Sequence, residues 1–170
     1  MFQTIAGDPY TFFESGDTIC ITTNGITKKK EQTAVMGKGT AEFAQVTFKE
    51  YEIDKLLGRY LLLHKNRAFY LGEYTFPLVE GFEQSEGKKV HLVTFPTKHH
   101  WRDKSDIHLI RKSIAQLQII QRKFKLNKRI YLPMPGCGAG QLKWSDVKED
   151  LSVLGEKYII YSRKEKDFLS

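Results

Sequence analysis

An α/β layered fold is the architecture this chain predicts, and three observations predict it. Short apolar runs alternate with segments of helical periodicity through the second half of the sequence, the pattern of strands followed by helices. Two glycine turns, Val35-Met36-Gly37-Lys38-Gly39 and Gly136-Cys137-Gly138-Ala139-Gly140, each stand just before a helical segment. In α/β folds ligands lie at the carboxyl ends of strands, where such turns fall. Finally, 41% hydrophobic and 28% charged residues over a length of 170 are ordinary for a globular domain able to bury a core.

The elements follow in order. Thr18 to Thr23 is β-branched and short, which predicts a buried strand ending at Asn24-Gly25. Residues 26–34 are polar, with Lys28, Lys29 and Lys30 in sequence, and read as a loop. From Thr40, the positions of Phe43, Ala44, Phe48, Tyr51 and Leu57 suit one irregular helix face. Arg59 to Leu63 and Ala68 to Leu71 read as strands joined in a hairpin through Lys65-Asn66. Val90 to Phe95 is a further strand, stopped by Pro96. Ile107, Ile110, Ile114, Leu117 and Phe124 recur at helical spacing, with Asn127 as the stop. Arg129 to Leu132 and Tyr158 to Tyr161 read as strands. Between them Val147, Leu151 and Leu154 mark a helix with an acidic start.

Composition excludes several classes. No apolar run approaches the roughly 20 residues needed to span a bilayer, and the first residues lack the pattern of a signal peptide. Cys20 and Cys137 form neither a disulfide framework nor a zinc spacing. A cytoplasmic protein with no membrane partner is expected. The net charge of +7, from 27 Lys and Arg against 20 Asp and Glu, suits either plain solubility or a polyanionic partner. Lys28 to Lys30, with Arg111, Lys112, Arg122 and Lys123, read as wet surface or as a DNA-facing patch.

Glycines at alternate positions bring backbone N–H groups close to a ligand, and a following helix N-terminus suits phosphate. Two such turns on one rim imply a diphosphate and hence a nucleotide-like ligand. Gly37-Lys38-Gly39-Thr40 is not a P-loop, because Gln32 stands where that motif needs its first glycine. Gly136, Gly138 and Gly140 miss the Rossmann spacing. The loop Thr97-Lys98-His99-His100-Trp101-Arg102-Asp103 follows a strand on the same rim. Its adjacent histidines lack the spacing and companions of a zinc site, so no metal is expected. Trp101 serves either as packing or as a stacking surface.

Four ordered segments resemble the macrodomains, which bind ADP-ribose: Gly7-Asp8, Asp17 to Asn24, Val35 to Gly39, and Gly136 to Gln141. The fragment Phe95-Pro96-Thr97-Lys98-His99-His100-Trp101-Arg102 resembles the catalytic-lysine loop of the branch containing the DNA ADP-ribosyl glycohydrolase antitoxins and the terminal ADP-ribose glycohydrolase. The resemblance implies one three-layer α/β/α macrodomain over residues 1–170 with a mixed central sheet. It further implies that Asp8 accepts the adenine amino group. Val35, Met36, Gly37, Lys38 and Gly39 would form the first diphosphate loop, and Gly136, Cys137, Gly138, Ala139, Gly140 and Gln141 the second. Thr97 would contact the ligand, while Lys98 acts at the distal ribose and Asn24 holds its hydroxyls.

The activity so implied is an ADP-ribosyl glycohydrolase that frees ADP-ribose from a modified macromolecule, with DNA bases the favoured substrate and no cofactor. Cleavage of that bond develops oxocarbenium character, which a nearby amine can assist. Gly140 stands where protein-directed members of this branch carry an aspartate, which argues for the DNA-directed type. The loop from Gly25 to Ala34 is longer and more basic than in the antitoxins, and either contacts nucleic acid or closes over the ligand. No toxin-binding extension is expected after the domain, so a full antitoxin is not expected; separately, the domain is expected to be a monomer. Two other activities fit the same loops: an ADP-ribose 1″-phosphate phosphatase and a non-catalytic ADP-ribose reader.

Overall fold

In a computed structural model describing residues 1–170, a six-stranded sheet runs in the order β1-β6-β5-β2-β4-β3. The strands are β1 (Gln3–Ala6), β2 (Thr18–Thr23), β3 (Tyr70–Thr75), β4 (Lys89–Pro96), β5 (Ile130–Pro133) and β6 (Tyr158–Ser162). All neighbours pair in parallel except β3, which lies antiparallel on β4 at one edge. The sheet is therefore mixed, as expected.

Alternation along the central strands builds two cores. Ile19 and Ile21 of β2, Val90 and Leu92 of β4, and Tyr131 of β5 join one apolar cluster. That cluster lies beneath α1 (Gly39–Thr47) and α2 (Ile53–His64). Cys20, Val93, Phe95, Ile130 and Leu132 point the other way, into a cluster with α3 (Ile107–Lys123) and α4 (Trp144–Val147). A period of two in a strand buried on both faces thus dictates three layers.

Several expected elements differ. Arg59 to Leu63 is not a strand but the end of α2, so the hairpin through Lys65-Asn66 does not exist. Ile53, Leu57, Gly58 and Leu61 are the buried positions of that segment, a helical period, whereas Leu62 and Leu63 are 50% and 73% exposed. The helix expected from Thr40 through Leu57 is two helices. A short 3₁₀ turn at Lys49–Tyr51 and the left-handed Glu52 (φ 52°) separate them. The strand expected at Ala68 to Leu71 begins at Tyr70 and continues to Thr75. Pro96 ends β4 from inside it, paired with Thr23, and its carbonyl accepts a hydrogen bond from Ser113 Oγ at 2.7 Å. The helix expected through Leu154 is one turn, α4, followed by a 3₁₀ turn at Asp150–Val153. β1 was absent from the expectation: it is four residues long, half of them polar and most of them exposed, and it forms by pairing with β6. No helix is long and apolar enough to cross a membrane.

Candidate functional site

The carboxyl ends of β2, β4 and β5 converge on one rim, and each hands the chain to a loop that lines a common cavity of about 560 Å³. β2 delivers Thr22, Thr23 and Asn24 to this space. Asn24 Nδ2 donates to Val35 O at 3.1 Å and its Oδ1 accepts from Ile26 N at 2.9 Å. One amide thus pins both ends of the 25–34 excursion. An amide side chain offers two donors and two acceptor lone pairs, so half of its capacity is left for a ligand.

The first glycine loop brings Val35, Met36, Gly37, Lys38 and Gly39 to the cavity. Gly39 has φ of +60°, which a glycine adopts without strain. α1 then starts at the cavity wall, and no side chain caps its first turn. Its free N–H groups and the positive end of its dipole therefore suit an anion. Thr40 Oγ1 accepts from Thr22 N at 3.1 Å and so ties this helix start to the end of β2.

β4 leads into Thr97 and Lys98. Thr97 is buried, its N–H donating to Thr23 O at 3.0 Å and its carbonyl accepting from Asp106 N at 2.9 Å. Asn66 Nδ2 holds the Lys98 carbonyl at 2.9 Å. The Lys98 ammonium reaches across the cleft to Ala139 O at 3.4 Å, joining this loop to the second glycine loop. The two histidines that follow diverge. His99 Nε2 pairs with Asp106 Oδ2 at 2.9 Å, an interaction that holds the Asp106 carboxyl below its ordinary range. His100 Nδ1 accepts from Arg102 N at 3.1 Å beside Trp101. No group of three or more His, Cys, Asp or Glu side chains converges anywhere in the chain.

β5 leads through Pro133 and Met134 into the second glycine loop, which contributes Gly136, Cys137, Ala139 and Gly140 to the cavity. Gly138 and Gln141 belong to the same turn but lie outside the lining. Gln141 is left-handed (φ 67°), with its N–H donating to Gly138 O at 2.9 Å. Burial pushes the Cys137 thiol up to about 11, so at neutral pH it stands protonated. Two lysines and no carboxylate line the cavity, a balance that favours anionic ligands.

Asp8 also lies outside the cavity lining. It sits on the same rim past β1, where Gly7 N donates to Ser162 O at 2.8 Å. One carboxylate oxygen accepts from Tyr10 N at 3.0 Å, which leaves the other free. Thr22, Thr40, Ser105, Pro133 and Met134 line the cavity although none was expected as a site residue; the first two and the last two adjoin motif residues, whereas Ser105 meets the second glycine loop through the fold. Ser105 is the most informative of these, because its buried Oγ has no hydrogen-bond partner.

No protein-family model matches the chain. A curated DNA ADP-ribosyl glycohydrolase of Mycobacterium tuberculosis (strain ATCC 25618 / H37Rv) is 29% identical over 139 residues, covering 82% of this chain and 37% of that protein. The chain therefore spans little more than a third of the curated relative's length. Among solved structures, Thermosipho africanus DarTG in complex with ADP-ribose superposes with a TM-score of 0.68 at 21% identity, over 99% of this chain and 46% of that one. The macrodomain of Mycobacterium tuberculosis DarG superposes with a TM-score of 0.66 at 22% identity, over 96% of this chain and 99% of that one. The chain has the macrodomain fold.

Proposed function

We propose that the cavity binds ADP-ribose and that the chain hydrolyses the bond joining ADP-ribose to a modified DNA base. The observation that carries this reading is the meeting of Lys98 with both glycine loops around one carboxylate-free cavity. The backbone of residues 35–39 and the start of α1 hold the diphosphate from one side, and residues 136–140 hold it from the other. Asp8 uses its free carboxylate oxygen to accept the adenine amino group. Asn24 directs its remaining donor and acceptor to the distal ribose hydroxyls.

Lys98 acts at the anomeric carbon of that ribose. Breaking the glycosidic bond leaves positive charge on the ribose, and water supplies the new C–O bond and the proton taken by the leaving base. The relatives' names support DNA as the substrate, and so does Gly140. A Cβ at that position would meet Ser105 Oγ at 2.2 Å, so an aspartate there requires the Ser105 hydroxyl to turn away.

Calorimetric titration with ADP-ribose, against ATP and NAD, tests the pocket. Hydrolysis of ADP-ribosylated DNA by wild type and Lys98→Ala then tests the chemistry. Lys98→Ala is expected to bind ADP-ribose within about threefold of wild type while turnover falls by about 100-fold or more. Unchanged turnover removes Lys98 from the mechanism. Phosphate release from ADP-ribose 1″-phosphate without action on DNA, or binding without any turnover, replaces the glycohydrolase reading.

A further inference from the structure

The positive charge of this protein is concentrated rather than spread. Three segments, residues 25–34, 64–67 and 97–106, total 24 residues and hold eight Lys and Arg against three carboxylates, five of the chain's seven net charges. The fold gathers them along one side of the cavity mouth. Gly25 N donates to His99 O at 3.1 Å, and Asn66 Nδ2 donates to Lys98 O at 2.9 Å, so the three segments touch in series.

The lysine-bearing excursion is a built element. Thr27 and Ala34 form an antiparallel bridge, Lys28 N donates to Thr33 O at 2.8 Å, and Gln32 N donates to Lys28 O at 2.8 Å. α2 holds this small hairpin in place: Ala34 N donates to Asp54 O at 2.9 Å. A Cβ on Gly58 would fall 2.1 Å from Gln32 O, so only glycine permits that approach. The fixed tip carries Lys28, Lys29 and Lys30, all exposed.

Lys65 and Arg67 follow α2, and Arg102 and Lys104 stand beyond the cavity mouth, exposed as well. None of the eight cations takes part in an ion pair; Asp106 is engaged by His99, and only Glu31 and Asp103 oppose them on these segments. Two of the α3 cations are engaged elsewhere: Arg111 is held by Asp150 at 2.9 Å and Lys123 lies over Phe124. Between the rim and the cavity stands Trp101, 46% exposed, with the Arg102 guanidinium 4.6 Å from its ring centroid and the His100 ring 5.1 Å away.

We propose that this rim is a docking surface for a single strand of DNA, which it holds on either side of the nucleotide that enters the cavity. The inference rests on the glycohydrolase reading and adds the surface that receives the polymer. Unpaired lysines on a fixed tip suit phosphodiesters, whose binding releases condensed counterions. An exposed indole beside a guanidinium and an imidazole forms a stacking ledge for an unpaired base, which a duplex does not present. A modified base inside a duplex would first have to be flipped out, at a cost in unstacking and unpairing that a single strand does not carry.

The test is fluorescence anisotropy with an oligonucleotide that carries no ADP-ribose, single-stranded and as duplex, over a series of salt concentrations. Wild type is expected to bind the single strand more tightly than the duplex. The variant Lys28→Ala/Lys29→Ala/Lys30→Ala is expected to lose about tenfold in affinity at low salt. Its log–log salt slope should fall by about 2, at roughly 0.7 per strand phosphate contacted. ADP-ribose titration of the same variant is expected to match wild type, which separates loss of the rim from loss of the pocket or the fold. Trp101→Ala is expected to abolish the preference for single strand while leaving the salt slope intact. Wild-type affinity and slope in the triple lysine variant overturn the proposal, and so does equal binding of duplex. Loss of ADP-ribose binding in wild type instead overturns the pocket reading, whatever the oligonucleotide does.

Discussion

A Cβ added to Gly37 or Gly39 in the first glycine loop meets no atom within 4 Å. One added to Gly136 in the second loop falls 2.7 Å from Leu142 Cδ1 and 2.8 Å from Ile110 Cδ1, and one added to Gly140 falls 2.2 Å from Ser105 Oγ. Both loops line the same cavity and read alike as letters. In the first, glycine leaves space open at the cavity wall. In the second, Gly136 and Gly140 let the loop lie against α3 and the segment before it, so the protein itself needs them. The same motif thus meets a ligand requirement in one place and a packing requirement in the other. Substitutions can pull the two apart.

The largest effect belongs to Gly136→Val. Its φ of +77° is strained for a β-branched residue, and the added methyls have nowhere to go. Backbone strain of about 1–3 kcal/mol and overpacking of about 1–3 kcal/mol together predict a loss of about 3 kcal/mol or more. For a chain of this size that lowers Tm by on the order of 10 °C. A thermal melt within about 2 °C of wild type would show that the second loop can move off Ile110 freely, and the packing account would fall.

Gly140→Asp comes next. Its Cβ meets a hydroxyl that can turn but also the Ser105 Cβ at 3.1 Å, and the Ser105 N–H is already bound to Gly140 O at 3.0 Å. A destabilisation of about 1–2 kcal/mol is expected. Combining it with Ser105→Gly should recover on the order of 1 kcal/mol, a coupling that denaturant titration of the four-member cycle measures. Additive losses would mean that Ser105 is not what closes position 140 to a side chain.

How much of this was legible in the letters depends on where each residue's reason lies. β2, β4 and β6 were readable because strands covered on both faces need continuous apolar, β-branched runs, and Thr18 to Thr23 is such a run. β1 was not readable, since Gln3-Thr4-Ile5-Ala6 is an edge strand whose stability comes from its register against Ile159 to Ser162. Leu61-Leu62-Leu63 reads equally as strand or helix, and only the burial of Ile53 and Leu57 on the same face decides it. The site followed the same division. The two glycine loops, Asn24 and Lys98 were visible as local motifs, and the fold brings them to one cavity. Ser105 was invisible because its importance is a contact with Gly140, thirty-five positions later in the chain.

The smallest effect on stability, and the sharpest contrast, is expected from Gly37→Ala. Gly37 lacks the positive φ of Gly39, so an alanine fits the backbone unstrained, and its methyl meets no protein atom. Stability should stay within about 0.5 kcal/mol of wild type, or rise slightly because alanine restricts the unfolded chain. The methyl nonetheless projects from a loop that lines the cavity, where the diphosphate is proposed to approach the backbone. An increase in the ADP-ribose Kd of about tenfold, or about 1.4 kcal/mol, is expected by calorimetry. A stable variant with reduced affinity would separate the ligand-facing loop from the packed one. Unchanged affinity would mean that the diphosphate does not approach Gly37, and the open space beside the first loop would then have no part in holding it.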